Sequence, residues 1–259
     1  MEIKALLLAA GEGTRLKPLT LDWPKCLMPI KGRPLLEYWI LLLKELGIQN
    51  ILVNTHHKKV IMEDFLNREQ FSRFVNYVYE PKFLGTGGTL LNNIDFFQDK
   101  TTLFIHADNW CHCDFQAFID YHRYNRPHNT IMTMMTFKTL SPSSCGIVEL
   151  DTKGVVQNFY EKVSNPPGNL ANAAIYLLEP EVLDILQSLP NVCDFDVDVM
   201  PSLLGKIATW ENTNIHRDIG TLESLLEAQK DLVPSLDSSD LDNWQRDFEK
   251  NSIHSKLKS

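Results

Sequence analysis

Residues 4–25 read Lys4-Ala-Leu-Leu-Leu-Ala-Ala-Gly-Glu-Gly-Thr-Arg-Leu-Lys-Pro-Leu-Thr-Leu-Asp-Trp-Pro-Lys25, an apolar run that breaks into a glycine-containing loop. Leu6, Leu7 and Leu8 have the unbroken apolar character of a strand covered on both faces. Gly11 and Gly13 carry no Cβ, so their backbone N–H groups can approach a ligand closely. Arg15 and Lys25 add fixed positive charge beside those donors. Backbone donors followed by two cations suit a polyphosphate, and the loop is read as a nucleoside triphosphate site.

Two common phosphate loops do not fit. A dinucleotide fingerprint needs a third glycine near position 16, where Leu16 stands, and an acid after the second strand, where Asn54-Thr55-His56 stands. A P-loop needs Gly-Lys-Ser/Thr after four intervening residues, and the chain has no such string.

Outward from this loop, apolar strand-like and helix-like stretches alternate. Strands are expected over residues 50–54, 75–80, 102–106 and 130–137, with helices over 35–46 and 114–124, the latter polar-faced. Residues 146–159 read as a hairpin around Asp151-Thr-Lys-Gly154, followed by a strand over 173–178 and helices over 180–189 and 221–232. This alternation predicts an α/β fold with a three-layer, Rossmann-like, mixed but mostly parallel sheet. Residues 1–233 are read as one domain, and 234–259 as a polar tail, either disordered or one amphipathic helix around Trp244 and Phe248.

Composition narrows the class. The 259 residues carry a net charge of −8, without the broad basic stripe of a nucleic-acid binder. No apolar run is long enough to span a bilayer, and no signal-peptide core follows the N-terminus. Five scattered cysteines argue against a disulfide framework, and the expected setting is the cytoplasm.

The string Leu8-Ala-Ala-Gly-Glu-Gly-Thr-Arg-Leu-Lys-Pro-Leu-Thr20 with Pro24-Lys25 resembles the sugar-1-phosphate nucleotidyltransferases, and the resemblance continues in pieces to about Glu227. It implies the nucleotide-diphospho-sugar transferase fold and, as substrates, a nucleoside triphosphate and a sugar 1-phosphate. Carried over, Ala10, Gly11, Gly13 and Thr14 wrap the nucleotide, and Arg15 and Lys25 bind its phosphates. Asp108 and Asp218 take Mg²⁺, a hard-oxygen pair suited to that ion. In the family a glycine usually precedes the first of these acids; here His106-Ala107 stands there. Lys162 meets the sugar phosphate, while Gly146, Glu161 and Asn172 contact the sugar. Val163 replaces the proline that often follows the lysine.

Glu80 and the turn Leu84-Gly-Thr-Gly-Gly-Thr, with Gly85 and Gly88, border the base by the same resemblance. A carboxylate at Glu80 suits the adjacent N1–H and N2 donors of guanine, so GTP is expected. The pattern comes nearest the mannose- and heptose-1-phosphate guanylyltransferases. A thymidylyl or uridylyl transferase, a cytidylyltransferase acting on another phosphorylated alcohol, and a non-catalytic nucleotide-sugar sensor remain as alternatives. The family's dimers and tetramers put a homo-oligomer among the expectations. His216-Arg-Asp is not a kinase signature, since no Asp-Phe-Gly accompanies it. His106, Cys111, His112 and Cys113 are too crowded for a structural zinc site.

Overall fold

The opening apolar run is a strand, Ile3–Leu8, with Ala5, Leu6 and Leu7 wholly buried. It belongs to a computed structural model that describes residues 2–232 and 242–257. The chain divides into two units. The first holds the described residues up to Leu6 together with Leu84–Ile105 and Cys113–Asn214. The second holds Leu7–Phe83, His106–His112 and the described residues from Ile215 onward.

In the first unit the organising strand is Leu170–Leu178. It pairs antiparallel with Thr101–His106, with Met132–Lys138 and, through Ala171 opposite Ile147, with Gly146–Leu150. Gly146–Leu150 forms the expected hairpin with Val156–Glu161, and Ile207–Glu211 joins Met132–Lys138 in parallel. The hairpin turn is closed by Asp151, whose Oδ1 accepts from the backbone N–H of Lys153 (2.8 Å) and Val155 (3.0 Å). Phe104, Tyr176 and Phe195 pack tilted or edge-to-face at 5.1 to 5.8 Å between ring centres and form the aromatic heart of this core.

Two stretches differ from the sequence reading. The expected turn at 84–89 is the start of a helix, Thr86–Asn92, because its glycines let the backbone close on a neighbouring segment. The N–H groups of Gly87 and Gly88 donate to the Cys193 carbonyl at 2.8 and 3.0 Å. The helix expected over 114–124 is α-helical at Phe115–Asp120 and widens into a π-type turn at Tyr121–Asn125. It buries more than its polar sequence suggests: Phe115, Phe118, Ile119 and His122 line one helical face. His122 is wholly buried because Thr133 Oγ1 and Glu179 Oε1 satisfy its two ring nitrogens at 2.7 and 3.0 Å.

In the second unit, Ile51–Thr55 and Val75–Tyr79 pair in parallel, and the helix Leu35–Glu45 ends before Gly47 at φ 75°. The fold class is therefore α/β with a mixed sheet. The closing helix is shorter than expected, Leu222–Ala228. Of the tail expected over 234–259, residues 234–241 and 258–259 lie outside the described residues. Asn243–Glu249 and Ile253–Lys256 within it are helical. Among the described residues no helix is long and apolar enough to cross a membrane.

Candidate active site

One short strand pair, absent from the sequence reading, assembles the charged centre of the second unit. Asn109–His112 and Ile215–Asp218 pair antiparallel, with Asp218 opposite Asn109. That register puts Asp218 beside Asp108, the residue just before the first strand. Lys25 Nζ bridges the two carboxylates, 2.7 Å from Asp108 Oδ2 and 2.9 Å from Asp218 Oδ1. Arg15 Nη2 meets the other Asp218 oxygen at 2.9 Å. Four residues as far as 203 positions apart thus form one hydrogen-bonded group.

Burial differs sharply within the group. The Lys25 side chain is 6% exposed, against 65% for Arg15. Burial works to lower the Lys25 pKa, but Asp108 and Asp218 outweigh it and hold the ammonium above its ordinary range. For Asp218, burial works upward and is outweighed by Lys25 and Arg15, which keep its carboxyl below the usual value.

The loop before Arg15 is shaped for this arrangement. Gly13 has φ 62°, and a Cβ there would lie 2.8 Å from Thr20 Cγ2 and 2.9 Å from Lys25 Cβ. Thr20 Oγ1 donates to the Gly13 carbonyl at 2.8 Å and ties the loop to the following turn. Gly11, Thr14 and Arg15 are exposed, whereas Ala10 is buried. Ala107, standing where the family has glycine, is wholly buried, and its N–H donates to the Leu8 carbonyl at 3.1 Å.

Glu80 is 2% exposed, and its Oε1 accepts from Asn54 Nδ2 at 3.1 Å. Asn54 Oδ1 in turn accepts from the Ala9 N–H at 2.8 Å. Glu80 therefore supports the root of the glycine loop through Asn54, a residue the sequence reading left without a role.

The first unit holds a second group. Gly146 lies opposite Glu161 in the hairpin, and a Cβ on it would stand 2.7 Å from Glu161 Oε2. Lys162 Nζ donates to Glu161 Oε1 at 2.5 Å. That hydrogen bond raises the Lys162 pKa against the effect of burial, with Asp196 and Asp194 adding to it.

Asn172 and Tyr176 would stand about 13 Å apart on a regular strand. They touch because the strand bulges: Asn172 faces Thr136 and Tyr176 faces Met134, with Ala174 between them at φ 55°. Asn172 Nδ2 donates to the Tyr176 hydroxyl (2.6 Å), which donates to Asp196 Oδ1 (2.8 Å). Asn172 Oδ1 accepts from the Ala174 N–H at 2.9 Å. Burial, reinforced by Asp196, holds the Tyr176 hydroxyl well above its ordinary pKa. Neither Tyr176 nor Asp196 was singled out from the sequence, since a bulge leaves no periodic signal. Gly85 sits at φ 77° against the Cys193 carbonyl, and Gly88 donates to it, so both pack in the first unit.

Gly220 was also missed. A Cβ on it would fall 2.6 Å from Arg15 Nη2 and 2.8 Å from Asp218 Oδ2. Its signal was present in Asp218-Ile-Gly220, a glycine two residues beyond a charged candidate site residue.

Among the described residues no cluster of three or more His, Cys, Asp or Glu could hold a metal ion. Two carboxylates converging on one ammonium do form the donor set that Mg²⁺ takes from a protein when phosphates and waters complete its shell.

Comparison with known proteins gives the family of the chain. A family model described as nucleotidyl transferase matches residues 4–234. A mannose-1-phosphate guanylyltransferase of Mycobacterium tuberculosis is 30% identical over 237 residues, 90% of this chain and 65% of that protein. The mannose-1-phosphate guanyltransferase of Saccharomyces cerevisiae is 31% identical over 195 residues, 73% of this chain and 53% of that protein. The chain thus spans between about half and two thirds of the length of these relatives. A crystal structure of UDP-glucose pyrophosphorylase complexed with UDP-glucose superposes with a TM-score of 0.73 at 23% identity, over 89% of this chain and 98% of that one. That likeness carries the fold alone. The chain belongs to the nucleotidyl transferase family.

Proposed function

We propose that the protein transfers a nucleotidyl group from a nucleoside triphosphate, GTP, to a sugar 1-phosphate, releasing pyrophosphate. The observation that carries this reading is the single hydrogen-bonded group of Arg15, Lys25, Asp108 and Asp218 behind an exposed glycine loop. The choice of GTP is supported by relatives named as mannose-1-phosphate guanylyltransferases.

The chemistry is a direct displacement. A phosphate oxygen of the sugar 1-phosphate forms a bond to the α-phosphorus, and the bond from that phosphorus to the β-phosphate oxygen breaks. Pyrophosphate leaves with the electron pair, and no covalent intermediate with the protein is needed. Both reactants are anions, so the chain's work is neutralisation and alignment. Arg15 and Lys25 bind the triphosphate, with Arg15 beside the departing pyrophosphate, and Ala10, Gly11, Gly13 and Thr14 enclose the nucleotide. Lys162 holds the attacking phosphate. Gly146, Glu161 and Asn172 define the sugar's place, Asn172 with its amide fixed by Tyr176, Asp196 and Ala174. Asp108 and Asp218 would hold Mg²⁺, which when bound supplies further neutralisation of phosphate charge. Glu80 supports the glycine loop through Asn54, and by the family resemblance Glu80, Gly85 and Gly88 border the base.

The test is pyrophosphate release by the full chain across four nucleoside triphosphates and a panel of sugar 1-phosphates. Release with GTP and one or more sugar 1-phosphates is expected. No release with any pair would sink the enzymatic reading in favour of a nucleotide-sugar sensor, and release with dTTP or UTP alone would overturn the base assignment.

A further inference from the structure

The helix Asn243–Glu249 lies beyond the residues matched to the family, and its contacts lead to the segment that carries Lys25. Asp242 caps the helix, its Oδ1 accepting from the Gln245 N–H at 2.8 Å. Its other oxygen accepts from Arg68 Nε at 2.7 Å, while Arg68 Nη1 donates to Glu37 at 2.5 Å. Only 4% of the Arg68 side chain is exposed. Its guanidinium carbon lies 4.9 to 5.3 Å from the ring centres of Phe65, Phe71 and Trp244. A buried cation with two carboxylates and three ring faces fixes the helix at one place and angle.

From that anchor the aromatic contacts run to Trp23. Trp244 and Phe248 stack at 5.0 Å, and Phe248 stacks on Trp23 at 5.5 Å with the planes 24° apart. Trp244 also reaches Trp23, at 6.3 Å. Trp23 Nε1 donates to the Leu27 carbonyl at 2.9 Å, so the indole spans the single turn Lys25–Leu27. At the far end Lys256 Nζ meets Asp22 Oδ2 at 3.2 Å.

We infer that the helix 243–249 is a positioning element for Lys25, acting through the stacked Trp23. The inference rests on the reading of Lys25 as a phosphate ligand. The helix fixes the indole, the indole fixes the turn, and the turn aims a side chain that has little freedom once buried. Trp23, Trp244 and Phe248 are positioning residues and do not touch substrate.

The test is a double-mutant cycle on the full chain, with Trp23→Ala and Trp244→Ala read by calorimetric binding of inorganic tripolyphosphate, which carries no base. Far-UV circular dichroism and a thermal melt check folding. Each single variant is expected to bind about fivefold more weakly, the worth of an aromatic pair. The double variant should be no weaker than the weaker single, because both remove the same support. Trp244→Phe should restore most of the loss, and Arg246→Ala, on the exposed face of the same helix, should bind as the unaltered chain does. Unchanged affinity in both folded singles, or losses that add, would overturn the inference. If Trp244→Ala does not fold, Phe248→Leu keeps apolar volume and removes the ring stacked on Trp23. Weakened binding then supports the inference and unchanged binding overturns it. Lys25→Met separates the two readings: weakened binding there with intact binding in the tryptophan variants removes the inference alone. Unchanged binding in Lys25→Met removes both.

Discussion

The two charged groups are built on opposite plans. In the second unit, Arg15, Lys25, Asp108 and Asp218 come from three distant stretches and meet as full charges. In the first unit, Glu161 and Lys162 are sequence neighbours, and the groups around them close on one another as Asn172–Tyr176–Asp196. On the proposed function, the first plan holds charge that would meet a polyphosphate. The second spends its hydrogen bonds internally and fixes a shape. Phosphate binding is served by the former, because charge-assisted hydrogen bonds are roughly twice as strong as neutral ones. Sugar recognition needs the latter, because hydroxyls are told apart by where donors and acceptors stand.

The comparison is broken most severely at the carboxylates. Asp108→Asn should lower Mg²⁺-dependent turnover by about a thousandfold or more while the melting profile stays near that of the unaltered chain. An active Asp108→Asn protein would remove the metal assignment. Gly220→Ala comes next: its Cβ would intrude 2.6 Å from Arg15 Nη2 and displace the guanidinium. The KM for the nucleoside triphosphate should rise about tenfold with the KM for sugar phosphate little changed. A rise confined to the sugar phosphate would assign Arg15 to the other substrate.

Much of this was legible beforehand, and the limits have physical causes. The glycine loop is a short-range pattern whose residue types carry their chemistry, whereas Asp108, Asp218 and the Glu161-Lys162 pair stand out only through the family resemblance. The strands 51–55, 75–79 and 101–106 are rich in β-branched, aromatic and apolar residues and are readable on that ground. Asn109–His112 and Ile215–Asp218 are not, because four-residue strands rich in His, Cys and Arg have no apolar alternation. The helix Thr86–Asn92 was hidden because adjacent glycines normally signal a turn; here they serve close approach to Cys193. Ala174 at a positive φ, and with it the meeting of Asn172 and Tyr176, is imposed by tertiary pairing and is silent in local sequence.

Smaller effects sharpen the first unit's side of the comparison. Burial holds the His122 imidazole below its ordinary pKa, against the opposing pull of Glu179 and with Arg126 and Arg123 reinforcing the shift. The folded chain therefore prefers neutral His122 and binds fewer protons there than the unfolded chain. Its contribution is present above about pH 6.5 and is lost as the pH falls below that value. Melting temperature should drop from pH 7 to pH 5, with a shallower slope in His122→Gln; an unchanged slope would exclude His122 as the source. Smallest of all, Ala174→Gly should stabilise the fold by about 0.5 kcal/mol, since glycine relieves the left-handed strain but has more freedom to lose on folding. A denaturant midpoint that falls instead would show that the alanine methyl contributes more than the strain costs.

The most direct measurement of the central claim follows oxygen atoms. The full chain is given GTP and a sugar 1-phosphate carrying ¹⁸O at every phosphate position, and both products are weighed by mass spectrometry. Attack by the sugar phosphate on the α-phosphorus predicts a nucleotide sugar that retains all of the label and a pyrophosphate that has none. Label in the pyrophosphate, or no nucleotide sugar with any nucleoside triphosphate, would contradict the account.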